Sequence, residues 1–268
     1  MRQEKPWQLK MFEKSLKKKQ KINALKKHLG SLTGKRCLLV TCGDNNGASN
    51  YHLRQLGGAW TWADFEEKCI KEMEELLQEK VHLLDKDACR LPFPDASFDV
   101  VVSIDVHEHL ADPMPITAEF SRIIRNNGRL IVTTPNGNER KLAVRIKHLI
   151  GMTPKEYGHE RVGFDIPDLE KILQSCRFRP LGSSSYSKFF TEMVELIINF
   201  AYVKVLAKRS RAKVEPGAIA PATRDQLRSV RRSYMFYCMA YPIFWAVSQL
   251  DWMLLPVRGY AVIVEASR

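Results

Sequence analysis

The sequence predicts an α/β fold built on a parallel sheet with helices covering both faces. Three observations carry this. From Lys35 onward, strand-like and helix-like stretches alternate in βαβα order. The run "FDVVVSIDV" (98–106) is continuously apolar, as a strand buried on both faces must be. The last ten residues, "GYAVIVEASR" (259–268), alternate in the period of a further strand. A chain of 268 residues, 45% of them hydrophobic, can bury a sizeable core as one large domain or a domain plus an elaboration.

The elements follow in order. Residues 1–30 form a basic amphipathic N-terminal helix in which Leu9, Phe12 and Leu16, then Ile22, Leu25 and Leu29, share a face at helical spacing. Such an arm is a solvated helix packed on the domain, or a membrane-surface or nucleic-acid arm. Cys37–Thr41 reads as the first strand, Ala48–Leu56 as a helix, and Trp60–Ala63 as a strand ending at Asp64. A charged helix over Glu66–Gln78 leads to a third strand at Val81–Leu84. After the fourth strand come a helix at Ile116–Ile124 and a fifth strand, "GRLIVTTP" (128–135). "PDLEKILQSC" (167–176) is helical and "FRPLGSSSYSKF" (178–189) a strand. The main domain therefore comprises 31–188 and 257–268, with a hydrophobic helical cap, 189–256, between its last two strands. No internal repeat interrupts this order.

The balance of 42 basic against 30 acidic side chains gives +12, which favours an anionic partner: nucleic acid, an anionic membrane face or an acidic substrate. Six scattered cysteines without a CxxC pair exclude a zinc framework and a disulfide scaffold, and suit a reducing, cytosolic setting. The charged N-terminus lacks the apolar core of a secretory signal.

Ligands of open α/β sheets bind beyond the carboxyl ends of the strands. The first strand here ends in "CGDNNG", a polar turn with glycine only at Gly43 and Gly47. The second ends at Asp64, whose carboxylate can accept both hydrogen bonds of a ribose diol. The third leads to "DKDAC", where Asp87 can accept from an exocyclic amine.

"DACRLPFPDASFDVVVSIDVHEHLADP" followed by "EFSRIIRNNGRLIVTTPN" resembles the class I S-adenosylmethionine-dependent methyltransferases, of the methyltransferase type 11 kind, from about Cys37 to Pro135. The resemblance implies a Rossmann-like, seven-stranded sheet whose last strand runs antiparallel. It implies that Gly43 and Gly47 cradle S-adenosyl-L-methionine, that Asp64 holds its ribose, and that Asp87 and Ala88 border its adenine. Asp44, Phe65 and Asp105 complete the implied cofactor set. The opening loop departs from the pattern, which usually has an acid and three glycines where this chain has Thr41-Cys42-Gly43-Asp44-Asn45-Asn46-Gly47. Asn and Asp tolerate positive φ better than other non-glycine residues, so the replacement is mild.

"DVHEH" follows the buried fourth strand, and its Glu-His element is similar to that of the ubiquinone-pathway O-methyltransferases and the small-RNA 2′-O-methyltransferases. The resemblance implies a divalent-metal site of Asp105, Glu108, His109 and His159, suited to Mg²⁺ or another divalent ion that lowers the pKa of an acceptor hydroxyl. The chain has Asp at 105 where that subset has Glu. The alternative is catalysis without metal, with His109 or His107 orienting substrate or acting as base and Glu108 capping the following helix.

Ser233–Leu250 is uncharged, preceded by Arg231 and Arg232, and rich in aromatics. Aromatics beside arginines suit a membrane–water interface better than a hydrocarbon core. The leading expectation is a cytoplasmic O-methyltransferase, peripheral on the membrane's cytoplasmic face, acting on a lipid-linked, glycan or quinone-type small molecule. An RNA 2′-O-methyltransferase and a non-catalytic S-adenosylmethionine-binding protein are the alternatives.

Overall fold

The computed structural model describes residues 4–43, 45–85, 90–206, 220–254 and 256–268. Seven strands, β1 (Arg36–Thr41), β2 (Ala59–Asp64), β3 (Val81–Leu83), β4 (Phe98–Ile104), β5 (Ile124–Pro135), β6 (Arg179–Tyr186) and β7 (Ala261–Ser267), form one sheet in the order β3-β2-β1-β4-β5-β7-β6. β7 runs antiparallel to both its neighbours, and the pairs among β1 to β5 are parallel. This is the architecture the sequence implied.

Alternation along the central strands supplies two cores. Leu38, Val40, Val101, Leu130 and Val132 point to one face, where Phe120 and Ile123 of a helix at Met114–Ile123 and Leu169 and Leu173 of a helix at Ile166–Ser175 cover them. Cys37, Leu39, Val100, Val102 and Ile131 point to the other. There they meet helices α2 (Leu16–Leu29), α3 (Ala48–Arg54) and α4 (Glu67–Leu77). A fully buried Leu or Ile in such a layer contributes roughly 1.5–3 kcal/mol.

The N-terminal segment is two helices, not one: α1 (Trp7–Glu13) ends at Lys14, and α2 starts after Ser15. It is no free arm. Leu9, Phe12, Leu16, Ile22, Leu25 and Leu29 are all buried. Gln20 and His28 fasten α2 to the β6 side of the sheet. The Ser187 amide donates to Gln20 Oε1 at 2.9 Å, and His28 Nε2 lies 2.8 Å from Ser184 Oγ.

The cap leaves the sheet after β6 as a helix at Phe189–Phe200, which passes into a single π-helical stretch at Ala201–Leu206. It resumes as a short helix at Arg224–Ser229 and a long one at Arg231–Gln249. The long helix has two faces. Tyr237, Tyr241 and Phe244 pack inward against Leu16, Val194 and Ile198. Phe236, Met239 and Ile243 stay 71%, 75% and 66% exposed on the outer side. Of the aromatics that made the segment look interfacial, Phe236 and Trp245 are exposed, whereas Tyr241 is buried and bonded to Lys19. No helix among the described residues is long and apolar enough to cross a membrane.

Candidate active site

A cavity of about 840 Å³ opens at the carboxyl ends of the parallel strands. Register sets its floor: Thr41 pairs with Asp64 on one side and Ile104 on the other, so β1, β2 and β4 end level. Residues of α1, α2 and the cap form its roof. The cap thus encloses the site and is not an appendage to it.

At one end lies the glycine turn. Gly43 has φ +78°, and a Cβ there would fall 2.7 Å from Glu66 Cγ. Gly47 has φ +90° and caps α3; a Cβ there would meet the Met73 backbone at 3.1 Å. Gly43 lines the cavity, while Gly47 lets the turn press against α4. The asparagines serve through their side chains. Asn45 Oδ1 accepts from the Gly47 amide at 3.1 Å, and Asn46 Oδ1 from the Ala48 amide at 3.3 Å. These are Asx turns. Asn46 does not adopt a positive φ, so it replaces a missing glycine by hydrogen bonding and not by backbone tolerance. Asp44, Asp87 and Ala88, expected to contact cofactor, lie outside the described residues.

Asp64 corrects another expectation. It is fully buried and does not line the cavity. Its Oδ1 accepts from the amides of Gly43 (3.0 Å) and Glu66 (2.7 Å), and its Oδ2 from Thr41 Oγ1. The carboxylate holds the turn together from beneath. Burial pushes its pKa up to about 6 despite those three donors. Thr41 stands where the family pattern has an acid; a second carboxylate there would face Asp64 and repel it. Glu66, two residues on, lines the cavity beside Gly43. Phe65 points into the core on the opposite face of the sheet and does not reach the cavity.

At the other end, the chain leaves β4 through Asp105, at φ +50°, into a 3-10 turn, His107–His109. Asp105 is fixed at three points. Its amide donates to Thr133 O at 3.0 Å, Oδ1 accepts from Thr133 Oγ1 at 2.7 Å, and Oδ2 is bonded to the Lys21 ammonium. Burial works against its ionisation, but Lys21 outweighs this and holds the carboxyl below its ordinary range. Glu108 is buried, with Oε2 accepting from Thr134 Oγ1 at 3.1 Å and Oε1 without a partner. Burial, and then Asp105 beside it, raise its pKa well above the ordinary value. His109 Nδ1 lies 2.9 Å from Gly158 O and must donate to it, which places the imidazole lone pair on Nε2. The His109 and His159 rings meet edge to face at 4.6 Å. Burial, then His109, depress the His159 pKa to about 3, so that ring is neutral.

Three of the four residues named as metal ligands converge: donor atoms of Glu108, His109 and His159 lie within 4.8 Å of one another. Asp105 is not among them, and its Oδ2 is bonded to the Lys21 ammonium instead. The trio offers one carboxylate and two imidazoles, and the orphaned Glu108 oxygen could accept an ion. The four-ligand site implied by the sequence does not form.

His107 is also corrected. It is fully buried, away from the cavity, with Nε2 3.1 Å from Thr117 Oγ1 and its ring near Phe120 and Phe164. Thr117 gives its own hydroxyl proton to Pro113 O, so His107 donates from Nε2. Burial drives its pKa down to about 4. It is a neutral core residue and does not touch the chemistry.

Sequence reasoning missed the lysines. Lys17 and Lys21 of α2 and Lys147 of a helix at Leu142–Leu149 all face the cavity, and Glu192 of the cap meets two of them. A run of lysines hides which members turn inward. The available signal was Glu192 and Glu195, two acids three residues apart within the otherwise apolar "FFTEMVELIINF".

Residues 38–132 match the family model described as a methyltransferase domain. A probable S-adenosylmethionine-dependent methyltransferase of Mycobacterium tuberculosis is 37% identical over 73 residues, 27% of this chain and 26% of that protein. The chain thus spans about a quarter of that relative's length. A ubiquinone biosynthesis O-methyltransferase of Idiomarina loihiensis is 26% identical over 149 residues, covering 53% of this chain and 60% of the relative. Among solved structures, a geranyl diphosphate C-methyltransferase from Streptomyces coelicolor superposes with a TM-score of 0.55 at 13% identity, over 94% of this chain and 77% of that one. The last likeness is one of fold.

Proposed function

We propose that the chain is, through residues 38–132, a class I S-adenosylmethionine-dependent methyltransferase, and that it O-methylates an amphiphilic small molecule at an anionic membrane surface. One observation carries the proposal. A single cavity has the glycine turn at one end and the Glu108–His109–His159 cluster at the other, and inward-facing cap residues such as Tyr237 and Phe244 roof it with apolar surface.

The residues fit the cofactor. Gly43 lines the cavity at φ +78°, where a Cβ would clash with the Glu66 side chain, and Glu66 offers a carboxylate to a ribose diol. When bound, S-adenosylmethionine supplies an electrophilic methyl on a sulfonium. The protein's remaining tasks are alignment and disposal of one proton. His109 accepts the acceptor's hydroxyl proton at Nε2, while its Nδ1–H bond to Gly158 O fixes the tautomer. Neutral His159 packs on its edge and positions it. Burial, and then Asp105 beside it, raise the Glu108 pKa and so favour its neutral form next to His109. With Asp105 already paired to Lys21, this reading needs no metal.

The membrane part rests on the outer face of the long cap helix. Met235, Phe236, Met239, Ile243 and Trp245 are at least half exposed, with Trp252 and Met253 beyond them. Arg231 and Arg232 lie exposed at the helix start. An apolar stripe beginning in arginines complements an anionic bilayer. The inward turn of Lys17 and Lys21 takes them from any RNA-binding face and lessens the support for an RNA substrate. Titration calorimetry with S-adenosylmethionine, then methyl transfer from labelled cofactor to a total lipid extract with and without vesicles, tests the proposal. Absence of binding at millimolar cofactor would refute it.

A further inference from the structure

We infer that Lys17 and Lys147 form a subsite for a phosphate-class anion carried by the methyl acceptor. The inference rests on the methyltransferase reading and adds the head-group chemistry to it.

Two ammonium groups converge on one carboxylate. Lys17 Nζ lies 3.1 and 3.0 Å from the two oxygens of Glu192, and Lys147 Nζ is bonded to Oε1. Ser187 Oγ donates to Oε2 at 2.7 Å. Glu192 is 1% exposed and its acceptor sites are filled. A clasp joining α2 to the cap would need one ammonium for one carboxylate. The second lysine leaves a surplus positive charge and spare N–H donors in a cavity wall, which costs free energy until an anion meets them.

The neighbouring acids offset that surplus only in part, although Glu195 lies near enough to act on both ammonium groups. Glu195 accepts from the Lys17 backbone amide at 3.1 Å, and burial raises its pKa despite that bond. Asp105 is matched by Lys21. The remaining lysines on the cavity wall, Lys14, Lys18 and Lys68, add to the positive side.

The subsite adjoins the reacting end. Lys147 Nζ sits 5.5 Å from the centre of the Tyr157 ring, and that ring is 5.7 Å from His159, which touches His109. An anion on the two lysines would place a hydroxyl a few bonds away within reach of His109. Lysine ammoniums suit the several oxygens of a phosphate ester better than one polarised carbonyl. The apolar mouth nearby, with Ile197 56% exposed, suits a chain leading outward.

The test uses calorimetry on the full chain saturated with S-adenosylhomocysteine, with octyl phosphate, inorganic phosphate and neutral octyl glucoside as probes. Octyl phosphate should bind at least tenfold tighter than either of the others. Lys147→Gln should weaken octyl phosphate at least tenfold and leave octyl glucoside and cofactor affinity unchanged. Lys147→Arg, which keeps the charge, should restore binding, and Glu192→Gln should preserve or tighten it. Equal affinity for the ester and the glucoside, or a Lys147→Gln loss shared by both, would reduce the cluster to a structural clasp. Inorganic phosphate binding as tightly as the ester would overturn the assignment to an acceptor head group. Octyl phosphate binding without S-adenosylhomocysteine binding would keep the subsite and sink the methyltransferase reading instead.

Discussion

Replacing Asp64 by Asn separates a residue that binds cofactor from one that builds the turn beneath it. The carboxyl group is fully buried, and its pKa lies at about 6 against an ordinary 3.8. That gap of about two units corresponds to about 3 kcal/mol. Below pH 4 the acid is protonated in both the folded and the unfolded chain and costs nothing. Between pH 4 and 6 the unfolded chain ionises first, so stability falls as pH rises. Above pH 6 the whole cost is in place. Asn keeps the oxygen that accepts from Gly43 and Glu66 but loses the acceptor for the Thr41 hydroxyl, worth about 1 kcal/mol. Asp64→Asn should therefore be about 1 kcal/mol less stable than wild type at pH 4 and about 2 kcal/mol more stable at pH 8. Urea unfolding of both proteins across that range measures the difference, in which all other titrating groups cancel. Parallel stability curves would refute the reasoning. S-adenosylhomocysteine affinity at pH 8 should change less than about threefold, because Asp64 does not line the cavity. A loss of about a hundredfold would return the ribose role to Asp64.

Glu66→Gln should weaken cofactor binding by roughly 1.5–3 kcal/mol, measured by calorimetry, since it removes the carboxylate that lines the cavity beside Gly43. His109→Ala should lower turnover roughly 10²–10⁴-fold with unchanged cofactor affinity, and EDTA should leave wild-type turnover intact; chelator-sensitive activity restored by Mg²⁺ would put an ion on Glu108, His109 and His159. Gly47→Ala should lower stability by at least about 1–2 kcal/mol in thermal unfolding, because φ is +90° and the new Cβ would press on the Met73 backbone. Phe236→Ser with Met239→Ser should abolish flotation with anionic liposomes at unchanged melting temperature, whereas Tyr241→Ser should lower the melting temperature through lost packing.

Much of the fold was legible because burial on both faces writes itself as unbroken apolar strands. "FDVVVSIDV" became β4, and alternation in "YAVIVEA" marked a last strand, β7, whose antiparallel direction came from the resemblance. The meeting of Glu108, His109 and His159 was legible from resemblance, not from spacing, since His159 lies fifty residues beyond His109. Side-chain direction was not legible. Asp64 and Glu66 are both acids near one strand end, and only the backbone decides which faces the cavity. The roles of Lys17 and Lys21 were hidden for a similar reason. A lysine-rich amphipathic segment looks solvated until a buried acid, Glu192 or Asp105, is placed opposite it. His107 sits in the same motif as His109, yet a 3-10 turn sends it into the core.

Drawn from segments far apart along the polypeptide, the roof of the cavity also has a history in time. α2 leaves the ribosome before the sheet does, yet its partners on the β6 side, Ser184 and Ser187, and in the cap, Glu192, emerge more than 150 residues later. Until then Leu25 and Leu29 can settle on the growing sheet, but Lys17 has no carboxylate to meet. Contacts so distant in sequence form slowly, because a long loop must close before they contribute. The parallel strands should therefore assemble first and the cavity close last. A nascent chain released before residue 195 would carry the glycine turn and His109 without their roof, and protease sensitivity of α2 during synthesis would report when closure occurs.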